Sequence, residues 1–177
     1  MIKIKNCFCL LLSCLLLFSC QSNEQKMIKQ IDSLEKEISS NEFIPDRNTA
    51  IKLIELYDEF SEKYPELEQT PEYLFKAGSL CMSVNMSAEA LGFFDKIINT
   101  YPNYSKHPDS YFLKAFVYDS QLNNLPLARQ SYEALIEKYP EHDLAEQARQ
   151  LIPLLGKNLE DIINGFEKEN NDSLVLK

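Results

Sequence analysis

The chain has 177 residues, with 18 basic and 27 acidic side chains, a net charge of −9 and a pI near 4.8. That balance is a poor footprint for nucleic acid, which asks for basic patches, and disfavours charge-driven adhesion to anionic lipid. Gly occurs only at 78, 92, 156 and 165, so no phosphate-cradling loop can be written, and β-branched alternation is scarce.

The first segment, MIKIKNCFCLLLSCLLLFSC, carries Lys3 and Lys5 and then an apolar run from Phe8 to Phe18. It is shorter than the ~20 apolar residues of a membrane span and has the layout of a secretory signal over residues 1–19. Its end, Leu17-Phe18-Ser19-Cys20, resembles a bacterial lipobox. That resemblance implies lipid at Cys20, which becomes the first residue of the mature chain, with palmitate among the acyl groups. Two or more acyl chains give stable attachment. Position 21 is Gln rather than Asp, and only Glu24 follows closely. By resemblance to lipoprotein sorting, these features imply the periplasmic face of the outer membrane.

Loss of the leader leaves 16 basic against 27 acidic residues, a net charge of −11 over 158 residues. Cys7, Cys9 and Cys14 leave with it and Cys20 is consumed, so Cys81 stands alone and no intramolecular disulfide or zinc spacing remains. The remaining length fits one domain or one short array of repeats.

Residues 20–44 predict a tether and a long charged helix, roughly 24–40, with Met27, Ile31, Leu34 and Ile38 on one stripe. That stripe covers barely two heptads, too few for a coiled coil. From residue 45 the apolar spacing is helical. One run holds Leu53, Ile54, Tyr57, Phe60 and Tyr64. A second holds Leu91, Phe94, Ile97, Ile98 and Tyr101. A third holds Leu127, Ala128, Tyr132, Leu135, Ile136 and Tyr139. Each run stops at Tyr-Pro, with prolines at 65, 102 and 140, at spacings of 37 and 38 residues. Proline lacks the amide donor and disfavours helix in the residue before it.

Thr70-Pro71-Glu72 predicts a helix start with a capping hydroxyl, a first-turn proline and an acid near the positive helix end. His107-Pro108-Asp109 repeats the last two. Ser87 and Asn124 are expected to cap the second helix of each pair. HDLAEQARQLIPLLGK and then LEDIINGFEKE predict a closing helical pair within a repeat domain over 45–169, and 170–177 a flexible tail.

The units align at Lys76-Ala77 with Lys114-Ala115, Ala90 with Ala128, Phe94 with Tyr132 and Ile98 with Ile136. This pattern resembles the tetratricopeptide repeat. Leu74, Ala77, Gly78, Ala90, Phe94, Ile97 and Pro102 carry the likeness in one unit. Ala115, Ala128, Tyr132, Leu135 and Pro140 carry it in the next. The resemblance implies an all-α, short right-handed solenoid of helix-turn-helix pairs with atypical end units. The Tyr-Pro endings and Ala145-x-x-Ala148 are similar to a bacterial envelope subgroup. It includes the lipoprotein of the outer-membrane β-barrel assembly machine and the periplasmic TolA-binding coordinator.

No nucleophile–base or metal constellation appears, so the expectation is a non-enzyme without cofactor, metal or small-molecule substrate. His107 and His142 fall in expected loops and read as solvated or capping, Cys81 as packed, and Tyr64, Tyr101 and Tyr139 as covers for helix ends. The triplets Asp32-Ser33-Leu34 and Asp172-Ser173-Leu174 resemble an O-glycosylation acceptor pattern. In tetratricopeptide folds the first helix of each pair lines a concave groove. By that resemblance Glu72, Phe75, Ser79, Met82 and Ser83 face it, as do Ser110, Leu113, Val117, Ser120 and Gln121. Such a surface suits an apolar peptide, unless the chain's own N-terminal helix covers Phe75, Leu113 and Val117. The partners expected are envelope proteins. The leading job is an accessory role in outer-membrane protein assembly, and the alternative is an adaptor for cell-division or peptidoglycan machinery.

Overall fold

The computed structural model describes residues 23–40 and 46–157. The leader, Cys20, the tail and the second half of the closing pair lie outside them, as do the boundaries at 19/20, 44/45 and 169/170. Among the described residues all regular structure is helical. Helix α1 covers residues 23–40. Then come α2 (Arg47–Lys63), α3 (Thr70–Ser83), α4 (Ser87–Thr100) and α5 (His107–Phe116). A π turn (Val117–Gln121) continues α5, followed by α6 (Leu125–Lys138), α7 (Asp143–Leu151) and a 3-10 turn (Ile152–Leu154). The chain divides into two compact units, Met1–Val84 and Asn85–Lys177.

In the first unit α2 packs on α3. The helical stripe places Leu53, Ile54, Tyr57 and Phe60 inside, against Tyr73, Leu74, Ala77 and Cys81. Tyr73 stacks on Tyr57 at 5.3 Å and meets Phe60 edge-on at 4.8 Å, a geometry that adds about 0.5–1.5 kcal/mol beyond area burial. Cys81 is packed, as its apolar face predicts. Helix α1 buries Met27 and Ile31, and Glu35 ties it down. Its Oε1 accepts from Tyr57 Oη at 2.6 Å and Lys76 Nζ at 2.8 Å.

In the second unit α4 packs on α5, α5 on α6 and α6 on α7. Ala115, Tyr132, Leu135, Ala145 and Ala148 form its core, with Phe112, Ile136, Tyr139 and Leu151 against it. The small residues of the register, Ala77, Ala90, Ala115 and Ala128, are all fully buried, as are Phe94 and Tyr132. Small side chains there let helices approach closely while the aromatic fills the space beside them.

The three Tyr-Pro endings share one geometry. Tyr64, Tyr101 and Tyr139 cap their helices with φ −132°, −122° and −134°, ψ 56°, 62° and 58°. Each amide donates at 2.9 Å to a carbonyl four residues back, of Phe60, Ile97 and Leu135. Each capping carbonyl then accepts from the amide three residues on, of Leu67, Tyr104 and His142. Asn85 and Asn123, with φ of 59° and 48°, stand at matching places just past α3 and the π turn. Asn tolerates this left-handed region better than most residues.

These landmarks explain why the period changes from 37 to 38. Thr70 and His107 open their helices in the 37 register, whereas Asn85 and Asn123 close them in the 38 register. One more residue therefore fits between equivalent ends in the second unit. A π turn takes up one residue more than an α turn, and here the Leu122 amide donates five residues back to the Val117 carbonyl at 3.1 Å.

Four local expectations are corrected. Thr70 is the first residue of α3, not its cap, and its hydroxyl donates to the Tyr64 carbonyl. Ser87 is likewise inside α4, and its hydroxyl donates to Gln121 Oε1 at 2.8 Å. His107 opens α5 fully buried rather than solvated. Leu127, placed on the apolar stripe of α6, is 37% exposed. Asn124 and His142 do act as caps, accepting from the Leu127 and Leu144 amides.

Candidate interaction surface

The first helix of each pair presents different material in the two units. On α3, Glu72, Phe75, Ser79 and Met82 recur every three or four residues, lie on one face and are all half-buried. The opposite face carries the buried Tyr73, Leu74, Ala77 and Cys81. The face is less hydroxylic than its composition suggests. Ser79 Oγ donates to the Phe75 carbonyl at 2.9 Å and Ser83 Oγ to the Leu80 carbonyl at 2.8 Å. Both hydroxyls thus serve their own helix.

On α5 and its π turn, Leu113 and Gln121 are half-buried, whereas Ser110 and Val117 are fully buried. Ser110 Oγ donates to the Lys106 carbonyl at 3.0 Å. Side chains at those two positions are packing, not contact surface, because the helix turns them toward its neighbours. Gln121 is held by the Ser87 hydroxyl. Ser120 is exposed. Lys114, the residue matching Lys76, pairs with Asp95 of α4 at 2.6 Å.

Phe116 and Leu122 fall outside the helical runs marked by apolar spacing and are 40% and 45% exposed, and Leu127 joins them at 37%. Phe116 falls where the 38 register has Gly78, which is buried. A bulky ring in place of a packed glycine was the available signal.

Two tyrosines show how the interior treats polar groups. Burial, and then the bond to Glu35, hold the Tyr57 phenol far above the usual range. Burial, with Asp119 adding, pushes the Tyr132 phenol up to about 12. Its hydroxyl is the one buried side-chain polar atom without a hydrogen-bond partner among the described residues.

An open cleft of about 470 Å³ runs along α1, lined by Asp32, Glu35, Lys36, Ser39 and Ser40. The described residues that line it are charged or hydroxylic. Ser33, in the first of the two triplets, is exposed on this helix; Ser173 lies outside the described residues. Among the described residues no group of three His, Cys, Asp or Glu is placed to hold a metal, and no helix is long and apolar enough to cross a membrane.

The sequence model of the tetratricopeptide repeat family matches residues 109–142, which run from the first turn of α5 through α6 to the cap of α7. No curated protein matches the chain. Repeats of this kind present binding surfaces for proteins along stacked helices. The fold is all-α and tetratricopeptide-like, with residues 109–142 as its clearest repeat.

Proposed function

We propose that the chain is a non-catalytic, lipid-anchored scaffold at the periplasmic face of the bacterial outer membrane, serving as an accessory of outer-membrane protein assembly. The observation that carries this reading is a conjunction. Paired-helix repeats, which bind proteins, follow Leu17-Phe18-Ser19-Cys20, which offers a thiol for lipid where an apolar run gives way to polar residues. The binding face in this reading is the half-buried stripe of α3, Glu72, Phe75, Ser79 and Met82, together with Leu113 and Gln121 in the second unit. An apolar or helical peptide laid on such a stripe gains from burying Phe75, Met82 or Leu113, at roughly 25 cal/mol per Å² of apolar surface.

The anchor is tested by fractionating cells that express the chain or its C20A variant, with labelled palmitate. Label and outer-membrane location in the parent, both lost in C20A, support the anchor. An unlabelled, freely soluble parent overturns it. The assembly role is tested by crosslinking before detergent extraction. A barrel-assembly subunit as the dominant partner supports it, whereas division or wall proteins would replace it with the adaptor role.

A further inference from the structure

His107 lies at a junction of three elements in the second unit and is fully buried. Both ring nitrogens are occupied. Nε2 lies 3.1 Å from the Ile98 carbonyl near the end of α4. Nδ1 lies 2.6 Å from the Tyr139 hydroxyl, at the cap of α6. A carbonyl only accepts, so Nε2 carries the proton and donates. Nδ1 is then bare and accepts from Tyr139 Oη. The ring also meets Tyr111 edge-on at 5.4 Å. One neutral imidazole thus joins the end of α4, the start of α5 and the end of α6.

We propose that this junction is an acid-sensitive latch: it is closed around the neutral imidazole, and protonation of His107 releases the α4–α5–α6 corner of the second unit. The geometry gives the sign. A second proton must go to Nδ1, which faces a hydroxyl already donating to it. Tyr139 would have to turn and lose its acceptor. The charge would be sealed from water, at the first residue of α5, where the helix dipole is positive. Lys138 of α6 faces the site, with its ammonium 5.6 Å from the Tyr111 ring centre. The remaining charged groups nearby in sequence are Lys106, before the helix, and half-buried Asp109 in its first turn.

Burial holds the imidazole below the usual histidine range; the Ile98 bond offsets part of this and Lys138 adds to it. An opened corner restores the ordinary value, about 6.5. Below that value the open form binds the proton more readily. The closed form is therefore favoured in full above pH ~6.5 and loses its advantage as pH falls toward the depressed value.

The test uses the full-length chain in detergent, with H142Q to leave one histidine signal. An NMR titration from pH 8 to 5 is expected to show His107 protonating below 6.5, and Y139F to move that titration upward. Hydrogen exchange at the Tyr101, His107 and Tyr139 amides, corrected for intrinsic rates, is expected to show opening that grows by up to about tenfold per pH unit in the window. H107Q, whose side chain does not titrate, is expected to remove that growth. Protonation at or above 6.5, or opening with the same pH dependence in H107Q, overturns the latch. If H107Q does not fold, the H142Q and Y139F titrations decide alone: an unmoved or downward-shifted Y139F value overturns it.

Discussion

Single residues here are asked for shape more than for chemistry. Gly92 lies in the interior of α4, and a Cβ built on it meets nothing within 4 Å. Its only effect is the entropy of a flexible backbone, so G92A is expected to stabilise by about 0.5–1 kcal/mol in urea unfolding. A loss would show an unseen neighbour at that face. Tyr132 poses the opposite case, a buried hydroxyl with no partner. An unpaired buried group costs about 1–3 kcal/mol, so Y132F is expected to match or exceed the parent by up to ~1 kcal/mol. A drop above ~1 kcal/mol would reveal a hydrogen bond to the hydroxyl.

At the scale of the element, the endings decide where helices stop and how they turn. Tyr-Pro was legible because proline states its constraint in sequence, and all three endings repeat to within 12° in φ and 6° in ψ. The caps were not legible. Thr70 and Ser87 have capping chemistry but sit one residue inside their helices, where other acceptors take their hydroxyls. The π turn was also hidden, although the change from 37 to 38 was its trace. Buried His107 escaped because its partners, Ile98 and Tyr139, come from elsewhere in the fold. Just past the 3-10 turn Gly156 has φ +75°, and a Cβ there would lie 2.6 Å from Leu125 Cδ1. Leu125 can turn its tip aside, but the positive φ strains any side chain, so G156A is expected to destabilise by roughly 1–3 kcal/mol in thermal or urea unfolding. The Lys114–Asp95 pair joining α4 to α5 is partly exposed, so D95N is expected to cost no more than about 1 kcal/mol, less in high salt.

Over the whole molecule, the periodic signal gave away the all-α, paired-helix character, because buried positions recur every three or four residues and small residues every 38. The candidate surface was less legible. Periodicity names the helix that faces outward but not which of its residues stay open. On α3 all four named residues of the stripe remain half-exposed. On α5 Ser110 and Val117 are sealed, while Phe116 emerges instead. The net charge of −9 leaves a basic or apolar protein surface as the better match for a partner.

The most direct measurement is in-cell photo-crosslinking from single sites, with the probe at Phe75, at Leu113 and, as a control, at exposed Glu133. Adducts with a barrel-assembly subunit are expected from Phe75 or Leu113 and none from Glu133. Adducts with the same proteins from all three sites, or none from Phe75 and Leu113, would contradict a binding face on these helices.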